Sequence, residues 1–125
     1  MSVQKGAKTY ALTAATTTTA GGVLSVANPE GADIIVTGVY LDVTTAATGA
    51  ATVDAGIATN GTTSADNLID AGDVGTAAAV ISNRDNAGTN GKKARRWNSG
   101  EFLTITASAT TAGMVGNAYV TYVRV

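Results

Sequence analysis

The chain has 125 residues and a net charge of −1, and 60 of its positions are Ala, Thr or Gly, while aromatic residues make up 5% and charged residues 14%. One domain with a thin, β-rich core follows from that size and composition. Cys and His are both absent, which excludes disulfide frameworks, thiol nucleophiles, the commonest transition-metal ligands and His-based catalytic triads.

Met1 to Tyr10 carries Lys5 and Lys8 without a following apolar run of signal-peptide length, and no segment approaches the roughly 20 apolar residues of a membrane span. The expectation is an extended N-terminal arm over residues 1–8, then a single domain over 9–125, made in a reducing cytoplasm and not membrane-bound. Short β-type runs cover Tyr10 to Thr13 and Gly22 to Val26. Thr16 to Thr19 between them disfavour helix through their χ1 restriction. Asn28-Pro29-Glu30-Gly31 has Pro and Gly at the second and fourth positions of a β-turn.

Ile34 to Thr44 is the clearest strand: Ile35, Val39, Leu41 and Val43 fall on one face, with Tyr40 and Asp42 on the other. Ala51 to Thr59 alternates Val53, Ala55 and Ile57 against Thr52, Asp54, Gly56 and Ala58, and Asn60-Gly61 closes it. The period breaks from Thr62 to Ala79, where Ser64 to Asp70 reads as a short capped turn and Asp70 to Asp73 as a loop. Val80-Ile81-Ser82 is a brief apolar run, and Asn83 to Gly91 consists of turn formers. Phe102 to Ala109 and Ala118 to Val125 both alternate, and the two are expected to pair as an antiparallel hairpin. Several strands separated by Gly and Asn turns, with no 3.6-residue period, predict an all-β fold, an antiparallel β-sandwich or jelly-roll-like barrel.

The candidate chemistry is sparse. Asp66, Asp70 and Asp73 have loop spacing, but Leu68 stands where an EF-hand would need a ligand, so turn capping is the better reading. Asp42 and Asp54 lie on non-core faces, where solvated carboxylates are expected rather than an acid/base pair. No catalytic residue, cofactor or metal is therefore expected. Lys92, Lys93, Arg95, Arg96 and Trp97 form the most specific binding feature. Four cations beside an indole suit an acidic protein surface or a nucleic acid, the latter disfavoured by the chain's overall acidity. The plain structural alternative is a solvated loop with Trp97 folded into the core.

The succession TVDAGIATNGTTSADNLIDAGDVGTAA, the loop NAGTNGKKARRW and the terminal SGEFLTITASATTAGMVGNAYVTYVRV resemble the capsid decoration, or cement, proteins of tailed bacteriophages, over residues 51 to 125. Asp54-Ala55-Gly56-Ile57, Asp66-Asn67-Leu68-Ile69-Asp70 and Val115-Gly116-Asn117-Ala118-Tyr119 carry the resemblance. It implies a non-catalytic virion protein, commonly a homotrimer, on the exterior of the expanded head, where it clamps neighbouring major capsid proteins. The expected contacts are Val3, Lys5 and Lys8 on the arm, which could add to a neighbour's sheet edge, and Lys92, Lys93, Arg95, Arg96 and Trp97 on the basic loop. The competing reading is a receptor- or glycan-binding module of a phage tail or fibre. That module needs exposed aromatics, for which Tyr10, Tyr40, Trp97, Tyr119 and Tyr122 are the candidates, the last two expected in a core strand pair.

Overall fold

The computed structural model describes residues 4–125. Among these residues nine strands form two antiparallel sheets: β1 (Gln4–Ala11), β2 (Leu24–Ala27), β3 (Ile34–Thr45), β4 (Thr52–Ala58), β5 (Ile69–Asp73), β6 (Ala79–Ser82), β7 (Arg95–Trp97), β8 (Phe102–Ala107) and β9 (Val115–Arg124). The first sheet has the order β1-β9-β3-β6, with β7 also pairing β3, and the second has the order β2-β8-β4-β5. The short strands β6 and β7 lie along successive stretches of β3, at Tyr40 to Val43 and Ile34 to Val36. Counted as one interrupted strand, they complete the eight-strand order of a jelly roll. The sandwich expected from the sequence is therefore present, and its connectivity is the jelly-roll alternative.

Alternation supplies the core. Val53, Ala55 and Ile57 of β4 and Leu103, Ile105 and Ala107 of β8 are buried against Ala118, Val120 and Tyr122 of β9 and the inner residues of β3. On β3 the inner set is Ile34, Val36, Val39, Leu41 and Val43, not Ile35. A bulge between Val36 and Gly38 inserts Thr37 and reverses which face each parity occupies, so a single period-two pattern misassigns the first turn of the pleat.

Two further expectations change. Phe102 to Ala107 and Val115 to Arg124 do not pair: β8 lies between β2 and β4, and β9 between β1 and β3. Both strands bury one face, and placing them in opposite sheets sets those faces against each other across the core. The link between them forms a corner, where buried Thr111 exchanges hydrogen bonds with Ala15 and Met114 enters the core. Residues 69–73, read as a turn and loop, form β5. Ala71 there has φ +60° and β5 pairs with β4 through a register shift, so no alternation advertises this strand.

The outer faces of the two sheets differ. Over the second sheet, the β4–β5 connection folds back onto the strands. The Thr104 hydroxyl donates to the Thr63 carbonyl, the Ser25 hydroxyl donates to the Gly61 carbonyl, and Asn67 pairs with the backbone of Ile57. Gly56 permits this approach, because a Cβ there would sit 2.7–2.8 Å from Asn67 and Ala65. The outer face of the first sheet carries no such cover among the described residues.

Candidate docking surface

The open face is built in rows by the strand register. Lys5, Val123, Ile35 and Arg96 form one row across β1, β9, β3 and β7. Ala7, Thr121 and Gly38 form the next, and Thr9, Tyr119 and Tyr40 the one after. Asn117, Asp42 and Val80 follow. Val80 is 63% exposed, Val115 56% and Tyr119 39%. Near the first two rows lies a shallow open depression of about 600 Å3, lined by Lys5, Gly6, Ala7, Thr37, Thr121, Tyr122 and Val123.

The site residues expected from the sequence are distributed over this frame. Val3 lies outside the described residues. The remaining arm residues, Gln4 to Lys8, run as the first part of β1 in register with Val120 to Arg124, so this stretch adds to the chain's own sheet. Lys5 shares the outer face with Val123, whereas Lys8, paired with Val120, belongs to the opposite face of the strand. Lys5 and Arg96 end the same row, three strand spacings or about 14 Å apart.

Trp97 is withdrawn from the basic loop. It is 0% exposed, its Nε1–H donates to the Glu101 carbonyl at 2.9 Å, and it pairs with Ile34 at the start of β3. The indole is a core plug and presents no face on which a base could stack. The four cations remain at the surface. Arg96 forms an exposed ion pair with Asp33 at 3.1 Å, whereas Lys92, Lys93 and Arg95 have no ion-pair partner among the described residues. The Lys92 backbone is held between Asn67 and Asn83, so the charges project from a fixed stretch of chain.

The acidic residues hold turns. Asp73 accepts from the backbone of Gly75 and Thr76 and from the Thr76 hydroxyl, and these bonds hold its carboxyl below the usual range. Asp70 accepts from the Thr89 and Asn90 amides, Asp66 from the Asn90 side chain, and Asp54 from the Ala71 amide. No group of three or more acidic side chains among the described residues is arranged to hold a metal ion.

One charged cluster was not legible from spacing. Glu30, in the turn between β2 and β3, accepts from the Tyr122 hydroxyl at 2.6 Å and from Arg124 Nε at 2.7 Å and Nη2 at 3.2 Å. Arg124 also donates to the Lys5 carbonyl and lies 5.7 Å from the Tyr122 ring centroid. The Arg124 and Tyr122 hydrogen bonds lower the Glu30 pKa to about 2. Burial, followed by the hydrogen bond to Glu30, pushes the Tyr122 phenol up, so it stays a donor. Its members are about 90 residues apart in the chain, beyond the reach of any local pattern.

Of the two tyrosines expected on a core strand, Tyr122 is buried and Tyr119 is on the open face beside Tyr40. Its alternation with buried Ala118 and Val120 is the signal that places it there. Comparison of the chain with protein-family models, curated proteins and solved structures gave no match. Among the described residues no helix is long and apolar enough to cross a membrane.

Proposed function

We propose that the protein is a non-catalytic binding module of a virion, a decoration protein that docks on the outside of a phage head, contacts the major capsid protein and acts as a homotrimer. The observation that carries this reading is the asymmetry of the sandwich. One sheet is covered by the chain's own β4–β5 connection, while the other presents an open face continuous, through Ile35 and Arg96, with the cationic strand β7. A side with exposed Val and Tyr next to cations suits a partner of mixed apolar and acidic character. Jelly rolls recur in viral capsids and in lectins, which is agreement by analogy of fold. Many copies on a symmetric shell add modest single contacts into firm attachment.

The test is occupancy on expanded capsids lacking the protein. Replacing Lys92, Lys93 and Arg95 by Ser is expected to reduce occupancy with the melting temperature preserved, since these side chains hold no structural partner among the described residues. Unchanged occupancy would remove β7 and its approach from the docking surface, and no binding of the unaltered protein would remove the decoration reading. A second reading, a glycan-binding module of a tail or fibre, is favoured by the exposure of Tyr119 beside Tyr40.

A further inference from the structure

Tyr40 and Tyr119 stand opposite each other on the β3–β9 pairing of the open face. The Tyr40 ring lies across Gly38, its atoms 2.6–2.8 Å from where a Cβ at that position would be. A side chain at position 38 would displace the ring from this place against the strand. Gly38 pairs with Thr121, which with Thr37 lines the depression, so the ring lies one row from it; the two threonine hydroxyls share a hydrogen bond at 3.2 Å. Lys5 lines the same depression and meets no carboxylate among the described residues.

These features together suit sugar rings. A pyranose offers a C–H face that lies on an aromatic ring, and a rim of hydroxyls that exchange hydrogen bonds with threonines. The depression is open and shallow, which accommodates a chain passing through, whereas a protein anchor side chain favours a deep, fully desolvated pocket. The ammonium at one end adds a preference for a carboxylate on the sugar.

We propose that the open face of the first sheet is a binding site for an acidic, uronate-bearing polysaccharide, with sugar rings on Tyr40 and Tyr119, hydroxyls at Thr37 and Thr121, and a carboxylate at Lys5. This rests on the glycan-binding reading and gives the open face to a sugar chain where the decoration reading gives it to the capsid protein.

The experiment is a titration of the isotopically labelled full chain, followed by amide NMR, with hexagalacturonate as the acidic probe and fully N-acetylated chitohexaose as the neutral one. The expected result is that hexagalacturonate shifts amides of β1, β3 and β9. Tyr119→Ala should weaken that binding by roughly two- to tenfold, as the loss of one aromatic stacking contact implies. Lys5→Gln should remove the preference over chitohexaose. Absence of shifts with hexagalacturonate would overturn the site, as would shifts confined to Lys92–Arg96 or affinity unchanged in Tyr119→Ala. A neutral probe bound equally well by the unaltered protein would overturn the acidic specificity. Tyr119 is on the surface, so its variant is expected to fold, and Lys5→Gln tests the site independently of any change at Tyr119. Capsid occupancy is measured on the variant with Lys92, Lys93 and Arg95 replaced by Ser, whose cations do not line the depression, so the two readings fail separately.

Discussion

Three asparagines hold the sandwich where its strand ladders stop. Asn83 follows β6 and is fully buried. Its Oδ1 accepts from the Val39 amide and its Nδ2 donates to the Lys92 carbonyl, while its own amide donates to the Val39 carbonyl. It thereby continues the pairing of β3 across the gap between β6 and β7. Asn67 does the same for Ile57 ahead of the start of β5, and Asn28 bridges the Ala32 and Trp97 carbonyls beside the turn to β3. No buried side-chain polar atom among the described residues lacks a partner, so removing one of these amides leaves backbone groups stranded. Asn83→Ala is expected to destabilise the fold by about 1–3 kcal/mol, read as a lower urea midpoint with an unchanged slope. An unaltered midpoint would mean that water replaces the amide at no cost. Asn83 reads as a turn former in the sequence because its role depends on β3, more than 40 positions earlier.

At the scale of elements, β9 is the organiser of the first sheet, paired on both sides along nearly its whole length. Its end is clamped by Glu30, which ties the β2–β3 turn to Tyr122 and Arg124 and, through Arg124, to β1. The folded-state pKa of Glu30 is depressed from 4.5 to about 2. The clamp's contribution is therefore complete above about pH 4.5 and is lost as pH falls toward 2. Glu30→Gln is expected to melt below the unaltered protein at pH 7, with the gap closing between pH 4.5 and 2 in paired thermal scans. A gap independent of pH would show that the carboxylate's charge is not what matters. The alternation of β4, β8 and β9 was readable because the core-facing apolar residues of each keep one parity throughout, although Gly56, Ala58 and Thr104 on the other face of β4 and β8 are buried as well. The parity of β3 was not, because a backbone bulge leaves no mark in the order of apolar residues. β7 was hidden for a related reason: three residues, Arg95 to Trp97, are a strand only because β3 offers them an edge.

For the molecule as a whole, closure of the sandwich is non-local: Gln4 pairs with Arg124, joining the two ends of the described chain. Residues 1–8, which the sequence suggests as a free arm, thus include five of the eight residues of β1. Their deletion is expected to lower the melting temperature of the isolated protein, measured by circular dichroism, before any effect on docking is considered. An unchanged melting temperature would show that β1 contributes nothing to closure and restore the arm as a separate element.

Composition and alternation by themselves determined the class: a small chain without Cys or His, rich in Thr and Ala, whose strands each have one apolar face, has to fold as two sheets around a thin core. They also located Trp97 and the cations beside it, and left open whether the indole faced the core or a partner. Tertiary structure decided the rest. Which sheet receives β8 and β9, and which carboxylate meets Arg124, depend on residues tens of positions apart. Such pairings arise from strand register and the packing of one face on another, which a one-dimensional pattern specifies only in sum. The open face of the first sheet is the clearest case: its rows alternate along each strand, but they become a surface only when β1, β9, β3 and β7 are laid side by side.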